Sequence, residues 1–282
     1  MSNYDGSWDP DFPDVMHFVD HENTHAKPWK VLEAHPCYKD AKNHENCLAA
    51  LRLVYDLLKT PENQNQLHTI KEKYSNAMIV SVHAIEAGGK NRIPTALAEY
   101  IGTITGIEIN DNIIQTSRVH RTGSDEWHRF AFRPTFSGYV VPYKNYILVD
   151  DVFAHGGSFN ELRLHIERNG GKVIQTAALS LGGHGSKIAP EPQLMKSLLD
   201  KFGTEKLNLF LKEINLYDGN YKALTNPETF ALRRASSLDE ARDRILAARQ
   251  EGMSYLVPGS HQKIESSTTT ITDNTNRPIW KR

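Results

Sequence analysis

The chain has 282 residues, 39% of them hydrophobic and 24% charged, as in a folded protein with one large domain or a core with appendages. Lys and Arg number 33 against 34 Asp and Glu, a net charge of −1 that gives no support for a broad nucleic-acid or anionic-membrane surface. No apolar run reaches bilayer-spanning length, Met1–Asp20 is unlike a signal peptide, and two cysteines are too few for a disulfide framework, so a reducing, cytoplasmic setting is expected.

Met1–Pro36 has no clear period and reads as an irregular arm packed on the domain. Within it His17, His21, Glu22 and His25 stand at helical spacing, which a polar surface explains. His35, Cys37, His44 and Cys47 form H-x-C-x6-H-x2-C, four zinc-ligand types in a short span, though in no common finger spacing. Cys47 also suits a small core position, so a structural zinc site and an ordinary helix both accommodate the cluster. His44–Lys59 carries Leu48, Leu51, Tyr55 and Leu58 at helical spacing and is predicted to be an amphipathic helix ended by Pro61.

From Ala77 short apolar runs begin to alternate with helical patterns. Strands are predicted at Met78–Val82, Ile104–Ile109, Tyr146–Val152 and Val173–Leu181. Helices are predicted at Ile93–Ile101, with Pro94 in its first turn, and at Phe159–Asn169, stopped by Gly170-Gly171. Such alternation implies an α/β fold with a parallel sheet covered on both faces. Beyond Gly182 the pattern turns helical, with capping boxes at Thr225–Glu228 and Ser237–Glu240. Gln262–Arg282 reads as a loose polar tail that contains an apolar pair, Ile279-Trp280.

The chemistry concentrates in Tyr146–Ser158, Y-I-L-V-D-D-V-F-A-H-G-G-S. A buried strand ends in two carboxylates, Asp150 and Asp151. A turn with Gly156 and Gly157 leads into a helix, where Ser158 and Glu161 read as a capping box. A glycine-rich helix N-terminus cradles anions. Carboxylates repel phosphate and suit hydroxyls, a metal or a developing positive charge. A ribose 5-phosphate unit has these parts in this order. The plainer reading is a strand-turn-helix unit with a polar corner. A P-loop is excluded because no Gly-Lys-Ser/Thr follows, and the G-x-G-x-x-G pattern is absent here.

This stretch resembles the signature of type I phosphoribosyltransferases: apolar residues, two acidic residues, then a Thr/Gly-rich turn. The resemblance covers roughly Met78 to Leu181. It implies the phosphoribosyltransferase fold, with Asp150 and Asp151 as catalytic residues on the ribose hydroxyls. Ala154, His155, Gly156, Gly157 and Ser158 would hold the 5-phosphate. It also implies Mg²⁺ at Asp150 and Asp151, directly or through water. Ala154 and His155 stand where the family usually has threonines, which removes one hydroxyl donor. A pyrophosphate loop is expected at Ala87, Gly88, Gly89, Lys90 and Arg92, and a closing hood between Asn112 and Tyr143, with Arg121 the first choice to reach pyrophosphate. The resemblance stops at the core; along the whole chain the sequence reads as an arm and helix at residues 1–76, a core at 77–182, C-terminal helices at 183–261 and a tail at 262–282. The implied activity transfers a phosphoribosyl group between pyrophosphate and a nitrogen acceptor. The alternative is a nucleotide-sensing or regulatory module of the same fold, with an effector role in a bacterial defence or mobile-element system as a related option. A homo-oligomer or protein partner stays open.

Overall fold

The computed structural model describes residues 4–19, 28–82, 85–86, 89–117 and 125–254, with 85–86, 89–90 and 252–254 described by backbone alone. The first elements are β1 (Met16–Val19), α1 (Pro28–Ala34), α2 (Tyr38–Asn43), α3 (Cys47–Leu58) and α4 (Pro61–Tyr74). Next come β2 (Ala77–Ser81), β3 (Ile85–Glu86), β4 (Gly89–Lys90), α5 (Ile93–Thr105), β5 (Glu108–Ile109) and β6 (Ile114–Gln115). They are followed by α6 (Glu126–Ala131), β7 (Phe136–Ser137), β8 (Asn145–Phe153), α7 (Gly157–Arg168) and β9 (Lys172–Leu181). Helices α8 (Pro192–Phe202), α9 (Thr204–Glu213), α10 (Asn226–Arg234) and α11 (Leu238–Ser254) come last. No helix among the described residues is long and apolar enough to cross a membrane.

Five strands form one parallel sheet in the order β1-β9-β8-β2-β5, so the expected α/β class is present. Side chains alternate along the central strand β8. Ile147 and Val149 pack with Ile93, Leu97 and Ile101 of α5 on one face. Tyr146 and Leu148 pack with Phe159, Leu162 and Ile166 of α7 on the other. The helices that follow the neighbouring strands β2 and β8 thus lie on opposite sides of the sheet. Their connecting loops diverge, and a crevice opens at the carboxyl ends of these strands, where ligands bind in open α/β sheets. A third apolar cluster joins α8 to α11 with Leu164 of α7 and with Trp127 and Phe130 of α6.

The N-terminal arm packs closely and is more ordered than its sequence suggests. β1 pairs with β9, setting Met16 opposite Ala177. Trp8 is buried, and its indole N–H donates to the Ala223 carbonyl at 3.2 Å. Buried Arg163 on α7 donates to the Gly6 carbonyl at 2.7 Å and pairs with Glu167 at 2.9 Å.

Other elements differ from the sequence reading. The helix expected at His44–Lys59 starts later, as α3 at Cys47, because Glu45, whose φ is 54°, lies in the turn that separates it from α2. Its buried face is Ala49, Ala50, Leu53, Val54 and Leu58, while Leu48 is 79% and Tyr55 51% exposed. Pro61 opens α4 instead of only ending what precedes it, because proline is well suited to a first helical turn; Thr60 Oγ1 accepts the Asn63 N–H at 3.3 Å. The strand expected at Ile104–Ile109 is short, since α5 runs through Thr105 and closes on Gly106. The tail at 262–282, and His21, Glu22 and His25, lie outside the described residues.

Candidate functional site

The central strand delivers its two carboxylates to opposite faces. Asp151 points toward the N-terminal helices. Its Oδ2 accepts from Lys42 Nζ at 2.5 Å and from Asn91 Nδ2 at 2.8 Å, and its Oδ1 accepts the Val152 N–H at 2.8 Å. Burial pushes the Asp151 carboxyl up, but the Lys42 ammonium and these hydrogen bonds outweigh it and hold the group below the ordinary carboxylate range. Asp150 faces the cleft, and its Oδ1 accepts the Asp151 N–H at 2.8 Å. Burial, reinforced by the Asp151 charge, raises Asp150 well above the ordinary range. Arg129 supplies positive charge to both carboxylates; burial lowers its pKa, and the attraction of Asp150, Asp151 and Asp125 opposes that.

The turn after β8 forms a glycine-lined cradle at the start of α7. Gly156 caps α7 with φ 74°, a left-handed conformation that costs glycine little. Its carbonyl accepts the Asn160 N–H at 2.9 Å. The first turn of α7 presents amides without intrahelical partners and the positive end of the helix dipole. Ala154, His155, Gly156, Gly157 and Ser158 line one cleft together with Asp150, Arg129 and Arg133. The predicted ribose-phosphate residues therefore converge, except that Asp151 is turned away from that lining.

The expected Ser158–Glu161 capping box does not form. Gly156 is the cap, and the Glu161 carboxylate instead accepts from Arg133 Nε at 3.1 Å, because the buried guanidinium is the stronger partner. Arg133 also donates to Glu228 at 2.5 Å and to the Tyr217 hydroxyl. Thr225 and Glu228 form the predicted capping box at α10. The Thr225 hydroxyl further donates to the His155 carbonyl at 2.7 Å. The cradle is thus braced by the C-terminal helices. The His155 ring lies 4.6 Å from that of His184, and Ala154 lies against Gly182.

The second loop is described in part. Gly89 and Lys90 pair with Ile85 and Glu86 in a small antiparallel ladder, and Arg92 precedes α5, with its guanidinium 3.7 Å from Glu45. Ala87, Gly88 and Arg121 lie outside the described residues. The region expected as a hood is docked over its second half: Trp127 and Phe130 are buried, and β6 pairs with β7.

Two metal expectations do not match the geometry. Among the described residues no group of three or more His, Cys, Asp or Glu side chains could hold an ion. His35, Cys37, His44 and Cys47 are not brought together. His44 bonds to Asp40 at 2.9 Å, His35 Nδ1 accepts the Cys37 N–H at 3.2 Å, and Cys47 is exposed at the start of α3. Mg²⁺ asks for free oxygen ligands in octahedral array. At Asp151 both oxygens are already engaged and an ammonium stands in contact, so the acidic pair does not fit the ion as it stands.

Lys42, Asn91 and Tyr217 brace this site and were not signalled by the sequence, and Glu228 was signalled only as part of its capping box. Arg129 and Arg133 stand four residues apart in the polar stretch ahead of Tyr143, and that spacing was the available clue.

No family model matches the chain. Protein TraN of Escherichia coli is 37% identical over 222 residues, which is 79% of this chain and 48% of that protein. An uncharacterized protein of Haemophilus influenzae is 32% identical over 161 residues, 56% of this chain and 33% of that protein. The chain spans about half or less of the curated relatives it matches. Among solved structures, an adenine phosphoribosyltransferase superposes with a TM-score of 0.31 at 14% identity, over 50% of this chain and 74% of that one. A phosphoribosylpyrophosphate synthetase from Mycobacterium smegmatis gives 0.28 at 20% identity, over 56% and 54%.

Proposed function

We propose that the cleft binds a ribose 5-phosphate unit, carried by phosphoribosyl pyrophosphate or a nucleotide, and transfers the phosphoribosyl group between pyrophosphate and a nitrogen acceptor. The observation that carries this reading is the juxtaposition of Asp150 with the glycine-capped start of α7 and with Arg129, at the crevice between β2 and β8. Amides of residues 154–158 would take the 5-phosphate, and Asp150 would hold a ring hydroxyl. The loop at 87–90, with Arg92 and Arg121, would take pyrophosphate. In the forward reaction the C1–O bond breaks with its electron pair leaving on pyrophosphate, and the acceptor nitrogen's lone pair forms the C1–N bond. Little proton transfer is asked of the protein, so its contribution is positioning and charge stabilisation.

A second reading, a nucleotide sensor without turnover, is favoured by one observation. Asp151 is locked by Lys42 and Asn91 and turned from the cleft lining.

Incubation with phosphoribosyl pyrophosphate and a panel of bases, with and without Mg²⁺, tests both through pyrophosphate release. Turnover with one acceptor supports transfer, and binding without turnover for any acceptor supports the sensor. Unchanged activity or binding in the double variant Asp150→Asn, Asp151→Asn would remove the site assignment.

A further inference from the structure

The N-terminal helix α2 contributes a cation to a site built otherwise on the sheet. Lys42 Nζ stands 2.5 Å from Asp151 Oδ2, with the lysine side chain 12% and the aspartate side chain 8% exposed. Lys42 is held there by its own backbone surroundings. The carbonyl of the neighbouring, fully buried Ala41 accepts the Arg92 N–H at 3.0 Å. Asn91, next in the chain, donates to the same Asp151 oxygen at 2.8 Å, and its own side-chain oxygen accepts the Ile93 N–H at 3.1 Å. The ammonium, the amide and the carboxylate thus form one braced unit across the start of α5, the place where the pyrophosphate loop rejoins the core.

Lys42 meets Asp151 on one side of the strand, and Arg129, on the cleft side with Asp150, supplies charge to both carboxylates. A divalent ion drawn to Asp151 would have to displace Lys42, or sit against an ammonium in a poorly solvated corner, where like charges repel strongly. It would also find both Asp151 oxygens occupied.

We propose that Lys42 is the resident counter-cation of the acidic pair, so that this cleft takes its ribose 5-phosphate ligand without a divalent metal ion. The inference rests on the reading of the cleft given above. It makes Lys42 a positioning residue, acting through Asp151 on the acidic pair.

Calorimetric titration of the full chain with phosphoribosyl pyrophosphate and with adenosine monophosphate, each in excess EDTA and in excess MgCl2, tests it. The expected result is binding in both, with affinities within about threefold of each other. Lys42→Gln, which keeps a hydrogen bond to Asp151 but loses the charge, should weaken binding in EDTA by about tenfold or more and regain affinity with Mg²⁺. Lys42→Arg should keep the metal independence. If Lys42→Gln does not fold, the wild-type comparison decides alone. Wild-type binding that needs Mg²⁺ overturns the inference and leaves the cleft reading standing. No binding of either ligand under either condition overturns the cleft reading and the inference with it.

Discussion

Replacing Arg133 by leucine tests whether the segment ahead of β7 is a fixed part of the cradle. The guanidinium holds Glu228 at 2.5 Å and Glu161 at 3.1 Å, and its carbon lies 4.9 Å from the centre of the Tyr217 ring. Glu228 is only 2% exposed, so leucine would leave a carboxylate buried without its cation. Breaking one side of a buried pair costs about 3–5 kcal/mol. Glu228 keeps hydrogen bonds from the Thr225 amide and the Tyr217 hydroxyl, both at 2.9 Å, which places the expectation at the low end, about 3 kcal/mol. For a protein of this size that lowers Tm by roughly 6–12 °C. Calorimetric melts at neutral pH measure it, and a cycle with Glu228→Gln identifies the cause. If the stranded charge is responsible, the leucine should cost about 1–2 kcal/mol less in the glutamine background. A Tm loss under about 2 °C would refute the docked segment, because a mobile hood gives up little when one arginine goes.

Three further outcomes follow from the same geometry. In Gly157→Ala the new Cβ would clash with Arg133 Nη1; despite alanine's better helix propensity, a net loss of about 1–3 kcal/mol in urea melts is expected, and a gain would refute the contact. Asp150 has a folded-state pKa above its ordinary value, so its contribution is favourable when protonated and is lost as pH rises through that folded pKa. Asp150→Asn should therefore raise Tm at neutral pH, with the gain shrinking as pH falls toward the ordinary carboxylate range; a gain that grows on acidification would refute the sign. Trp127→Ala removes a buried anchor between α6 and α11 and should cost about 3–5 kcal/mol in guanidinium unfolding, against little change if α6 is undocked.

What could be read from sequence was local and strongly patterned. The run Tyr146–Val149 followed by two aspartates announced a buried strand with an acidic end, and Gly156-Gly157 announced the turn, because those signals lie within a dozen residues. The face of α3 was misread because small Ala49 and Ala50 fill the tight space beside the sheet, while larger Leu48 and Tyr55 stay outside. α4 was missed because among its residues only Asn63, Leu67 and Ile70 are buried, too few to print a period. Lys42 was invisible for a different reason. It lies 109 residues from Asp151 on a six-residue helix, and no spacing rule connects them. Arg133 likewise takes its meaning from Glu228, 95 residues on.

The strapping of residues 4–19 across the finished core sets the order in which the chain can assemble. The partners of Trp8 are at Lys222 and Ala223, and β1 adds to β9. During synthesis at about 5–20 residues per second, this segment waits roughly 10–40 s for the 215 residues that separate Trp8 from Ala223. Once it has emerged, the apolar strand β9, with Val173, Ala177, Ala178 and Leu179 all destined for burial, carries an unpaired edge until β1 docks. β1 is made before its partner, and losing it would leave the apolar edge of β9 as a template for aggregation.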